Sequence, residues 1–161
     1  MDLGVLLETL EQTSLADAMK HWLWLYPIVE IVHIAGFALL VGSVAAFDLR
    51  LLGFARSSSI RALERSLLPW SWIALLLIVP TGLAMFMTHA GDFAGNPAFR
   101  VKLLLLFAAG VNALLFHAGV FRSVSAWDQH VPTPRAAKFS AALSLAIWAG
   151  VISCGRLIAY L

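Results

Sequence analysis

Charge is what this chain has least of. Only 12% of its 161 residues are Asp, Glu, Lys or Arg, whereas 61% are hydrophobic and the mean hydropathy is +0.87. That balance lies far outside a soluble globular domain and reads as an integral membrane protein. Cysteine is almost missing: Cys154 stands alone, which excludes an internal disulfide and any cysteine-built zinc or iron–sulfur site. The net charge of +2 is no sign of a nucleic-acid partner, because the basic residues follow a membrane pattern. A basic start is also lacking. Residues 1–20 carry Asp2, Glu8, Glu11 and Asp17 instead, unlike a signal peptide.

What the chain has in abundance is long apolar runs. Four of them exceed the roughly 18 residues that a helix needs to cross a hydrocarbon core about 30 Å thick. They extend over about 25–47, 67–87, 101–121 and 139–160 and leave no room for a separate soluble domain. Trp22, Trp24, Tyr26, Trp70, Trp72, Trp127 and Tyr160 flank them, as amphipathic rings do at a headgroup layer; Trp148 falls mid-span and reads as a packing residue. Before the first run, leucines at 3, 6, 7, 10 and 15 fit one or two short amphipathic helices lying on the surface, with Ser14 and Asp17 marking a helix start. The expected fold is therefore all-α: one membrane domain over 1–161, a four-helix bundle preceded by an interfacial helix over 1–21.

The loops set an orientation. Arg50, Arg56, Arg61, Arg65, Arg122, Arg135 and Lys138 fall on one side, against Lys20, Arg100, Lys102 and Arg156 on the other. Positive residues accumulate on the cytoplasmic face, so both termini are expected on the non-cytoplasmic side of a bacterial inner membrane. Small residues let helices approach closely in lipid. The four-residue repeat of Ala142, Ala146, Gly150 and Cys154, and the pair Ala109 and Ala113, are expected to face inward. Pro80 is expected to kink the second helix, and "GDFAGNPAFR" to form an outer turn ordered by glycine and proline.

Ionisable residues inside a span cost about 2.5 kcal/mol or more at its centre, so they normally face the bundle interior and have a role. Glu30 and His33 are three residues apart on one helix face, continued by Phe37, Leu40 and Val44. With Tyr26 at the outer edge, His33 lies roughly 10 Å deep. Neutral imidazole is an axial ligand for haem iron, and a neighbouring carboxylate can orient its other nitrogen. The same pair suits half of a carboxylate–histidine metal site or a proton relay, and the competing structural reading is a buried hydrogen bond that only holds helices together.

His117 makes a second case. It shares a face with Lys102, about 22 Å away along the helix, and Ala109, Gly110 and Ala113 between them form a shallow groove that fits a flat macrocycle or a neighbouring helix. By helical rise His117 is about 12 Å deeper than His33, and His89 is too shallow for His33 by a similar margin. Two sites, or one with a single histidine ligand, are expected rather than one two-histidine haem. Asn112 needs a partner, and His21 and His130 read as interfacial or loop residues. Arg50, Lys102 and Arg156 near span ends normally snorkel to the interface, with haem propionates as the functional alternative; Asp48 is a candidate partner for Arg50.

"HIAGFALLVGSVAAFDLRLLG" resembles the first-helix signature of the HemJ-type membrane protoporphyrinogen oxidases and the related CopD-type copper-resistance membrane proteins. "FRVKLLLLFAAGVNALLFH" resembles their lysine-led third helix, and the overall pattern is closer still to a bacterial four-helix family known as a domain of unknown function. The resemblance implies haem b, with His33 and Lys102 at the site and Arg50 matching a basic residue at the inner end of the first helix. In that pattern the third-helix histidine comes about one turn before the position of His117, and Glu30 has no counterpart.

The combined expectation is a haem-b-binding membrane protein in electron transfer or haem-linked redox chemistry, an oxidoreductase if it is an enzyme. One or two haems are held by His33, His117, Glu30, Lys102, Arg50 and Arg156. Its expected partners are lipids, a redox protein or quinone, and a second copy of the chain. The alternatives are copper or other metal handling by His33, His117, His89 and Glu30, with Met85 and Met87 near His89 as thioether ligands, and a structural or regulatory subunit.

Overall fold

The computed structural model describes residues 2–161, an all-α arrangement without strands among them. Four helices are long and apolar enough to cross a membrane: α3 (Leu25–Leu52), α4 (Ile60–Thr88), α6 (Pro97–Ala118) and α7 (Arg135–Leu157). Short helices α1 (Leu3–Glu11) and α2 (Ser14–His21) precede them, α5 (Ala90–Gly95) joins α4 to α6, and a 3₁₀ segment, Val120–Ala126, follows α6. The spans begin or end several residues away from the apolar runs that announce them. α3 has 28 residues, about 42 Å of helix, because polar Asp48 and Arg50 continue the helical pairing beyond the apolar stretch.

Local chemistry sets the ends. Gly53, at φ +115°, turns α3 off in the left-handed conformation that glycine adopts without strain. Ser59 caps α4 by accepting from the Ala62 N–H, and Asn96 caps α6 by accepting from Phe99, with Pro97 in the first turn. α6 stops at Gly119, where a Cβ would sit 2.7 Å from the Leu115 carbonyl oxygen, so the third span ends before its apolar run does. Most of "GDFAGNPAFR" is helical, in α5 and the start of α6, rather than an open turn. Pro69 and Pro80 lie inside α4, yet helical pairing continues from Ile60 to Thr88.

α3 packs on both α4 and α7, and α6 packs on α7. No comparable interface joins α4 to α6. Gly150 on α7 lets α6 approach closely, since a Cβ there would meet the Leu105 side chain at 2.9 Å. The small-residue repeat on α7 faces inward only in its second half: Gly150 meets Leu105 and Cys154 is buried, whereas Ala142 and Ala146 are exposed beside the buried Ala137, Ala141, Ser144, Ile147 and Val151. A strict four-residue repeat drifts around a helix by about 40° per step, while mixed steps of three and four stay on one side.

The tightest packing lies at one end, where Leu51, Ile60, Phe116, Val124, Trp127, Ala137 and Ala141 form a buried cluster. Elsewhere large side chains such as Leu76, Phe107 and Leu114 face outward, as a bilayer requires. At the opposite end α2 buries Ala16 and Met19 against the bundle, and Glu11 accepts a hydrogen bond from the Gly91 N–H at 2.9 Å. The amphipathic segment thus docks on the helix ends.

Candidate functional site

His33 is half-buried between α3 and α4. Its Nδ1 is 2.9 Å from the Thr81 hydroxyl, which itself donates to the Leu77 carbonyl within its own helix. One hydroxyl carries one proton, so with that proton committed the Thr81 oxygen can only accept from the ring. This arrangement puts a proton on Nδ1, and when the ring is neutral Nε2 keeps the lone pair. Gly82 makes room for the ring: a Cβ there would lie 3.0 Å from His33 Cε1. The side-chain orientation assigned to Glu30 belongs to Thr81 instead, since Glu30 is exposed and makes no hydrogen bond to the ring. The sequence marked Thr81 only as a neighbour of Pro80.

Lys102 lies in the same half of the bundle, close enough for its charge to act on the His33 ring. Its Nζ approaches Gly155 of α7, and no carboxylate pairs with it among the described residues. Two other basic residues are placed differently from expectation. Arg50, only 3% exposed, donates from Nε to the Ser58 carbonyl (2.7 Å) and from Nη2 to those of Arg56 (3.2 Å) and Asp128 (2.9 Å). It holds the α3–α4 loop against the segment before α7 and has no contact with Asp48. Arg156 is exposed and turns to Tyr160, stacking 4.8 Å over the ring and donating to its hydroxyl. His89 is exposed at the α4 end beside Thr88, bordering a shallow pocket with Met19, Lys20 and Tyr26, and His21 pairs locally with Asp17. No three histidine, cysteine or carboxylate side chains converge among the described residues, so Glu30, His33, His117 and His89 do not assemble into a metal-binding set.

A second region occupies the gap that α4 and α6 leave between them. A cavity of about 400 Å³ is lined from all four spans. Leu75 and Val79 on α4, and Leu106, Ala113 and His117 on α6, line it and are also exposed, so it opens sideways where the acyl chains would lie. Ala109, Gly110 and Ala113 thus face a void and not a neighbouring helix of this chain. His117 is here, edge-on to Phe116 and Phe121 with Glu64 in the same lining, while His33 and Lys102 are not part of it. Asn112 and Ser140 satisfy one another, the amide donating to the Ser140 carbonyl (3.0 Å) and the Ser140 hydroxyl to Asn112 Oδ1 (2.9 Å).

Asp48 lines this cavity too. It is 5% exposed, Ser144 lies against it, and its Oδ2 has no hydrogen-bond partner. The sequence contained the signal: the face that begins at His33 and runs through Phe37, Leu40 and Val44 reaches Asp48 one four-residue step later. No protein family, curated protein or solved structure matches the chain.

Proposed function

We propose that the protein binds a b-type haem through His33 and serves haem-linked redox chemistry in the membrane. The observation that carries the reading is the His33–Thr81 hydrogen bond, which engages Nδ1 and leaves Nε2 without a partner, so that the neutral ring has a lone pair to offer. That is the state an axial ligand to haem iron requires, and an outer partner on the second nitrogen is the usual way of orienting one. The donor chemistry fits: His33 would supply the axial nitrogen and Lys102 a cation for a propionate. The haem itself would supply one-electron chemistry, and the chain contributes ligation, orientation and an apolar surround that tunes it. A bare metal ion is less well served, because the described residues offer no cluster of three such donors.

A reduced-minus-oxidised visible spectrum of the purified protein in detergent tests this. The expected result is a b-type spectrum that His33→Ala abolishes and Thr81→Val retains with haem held about 10- to 100-fold more weakly. A spectrum unchanged by His33→Ala, or none after reconstitution with haem, overturns it.

A further inference from the structure

The cavity between α4 and α6 has no part in that reading, and its chemistry is different. Its walls carry two carboxylates, Asp48 and Glu64, and neither lysine nor arginine. Four aromatic side chains complete it: Phe37 and Trp148, edge-to-face at 5.9 Å, and Phe47 and Phe116, likewise at 5.9 Å. A carboxyl oxygen left unpartnered in an apolar wall is either neutralised by a proton or compensated by a group that enters the cavity, and a cation is the group that suits the ionised form. Haem is a poor occupant, because its propionates would meet Asp48 and Glu64. A neutral lipid tail would leave Asp48 Oδ2 as it is.

We propose that this cavity is a binding site for a lipophilic organic cation, a protonated amine or a quaternary onium group on an apolar body, which reaches it from the bilayer through the α4–α6 gap. The positive centre pairs with Asp48, the apolar body lies against the aromatic walls, where a cation gains from the ring faces, and Glu64 contributes at the rim. The volume of about 400 Å³ falls within the usual range for small-molecule sites. This assignment is independent of the haem on His33.

Equilibrium dialysis of tetraphenylphosphonium against the detergent-solubilised full chain tests it, with triphenylphosphine oxide as the neutral analogue. Saturable binding of one cation per chain is expected, at least about tenfold tighter than the neutral compound and weakened by at least about tenfold in Asp48→Asn. Ala113→Phe fills the cavity from α6 without touching either carboxylate, and it should block binding while leaving the melting temperature unchanged. His33→Ala should bind the cation normally, so failure of the haem reading leaves this result intact. Equal binding by Asp48→Asn, equal binding of the neutral compound, or a haem spectrum that disappears in His117→Ala with no cation bound would each overturn the proposal.

Discussion

Asp48 and Arg50 are two residues apart on one helix and are both buried, yet they end in opposite situations. Two helical steps turn a side chain by about 200°, so Arg50 faces the loops at the helix end and Asp48 faces the cavity. Arg50 meets three backbone carbonyls and leaves only Nη1 without a partner, whereas Asp48 has Ser144 beside it and an Oδ2 with no partner. A buried charge whose contacts lie within the chain is part of the scaffold. Asp48 differs in that its unpartnered oxygen belongs to a cavity wall, where the proposed cation would sit.

The strongest way to break this contrast is to remove each charge in turn. Arg50→Met should cost about 3 kcal/mol or more, because three loop carbonyls lose a charged donor, and it should appear as a large drop in the melting temperature in detergent. Asp48→Asn should leave the melting temperature unchanged or raise it slightly, since no internal contact is lost. A loss at Asp48 equal to that at Arg50 would dissolve the distinction.

Asp128 sharpens the scaffold side. Its carboxylate accepts from the Ser59 hydroxyl at 2.9 and 3.1 Å and from the Arg61 N–H at 3.0 Å, closing the start of α4. Partial burial opposes its ionisation, but these hydrogen bonds outweigh it and hold the carboxyl below its ordinary pKa. Asp128→Ala should cost about 1–2 kcal/mol, the value of a lost cap. A depressed pKa in the folded state gives stability that is present above the ordinary carboxylate pKa of about 4 and lost as pH falls through the lower folded value. The acid limb of a pH–stability curve should therefore flatten in Asp128→Asn.

Two glycines provide the smaller tests. Gly82→Ala places a methyl 3.0 Å from His33 Cε1, and should perturb the haem spectrum while costing about 1 kcal/mol or less. Gly150→Ala meets only the tip of Leu105, a flexible side chain that can turn aside, so its cost should be below that of Gly82→Ala. Thermal melts of the pair, read beside their spectra, separate a site effect from a packing effect.

The four spans were legible because hydropathy over some 20 residues is a strong signal. Their ends were not, since Gly53, Ser59 and Gly119 act through backbone geometry that hydropathy does not register. His33 and Lys102 could be read as intramembrane polar residues, and the structure places them in one half of the bundle. Thr81 was missed as the orienting group because it comes from another helix, 48 positions away. The nearer Glu30, on the same helix face, was the obvious choice from spacing alone. The inward face of α7 was read correctly at Gly150 and Cys154 but not at Ala142 and Ala146, because a four-residue repeat drifts round the helix.

The missing interface between α4 and α6 also bears on how the chain assembles. α3 with α4, and α6 with α7, are each pairs of neighbours along the sequence, and each forms a hairpin within the membrane. The α3–α7 seam is the main interface between spans far apart in the chain, with the Phe47–Phe116 contact joining α3 to α6 at one end. Each hairpin can form before the other exists, so most of the search is local and a single late docking step along that seam completes the bundle.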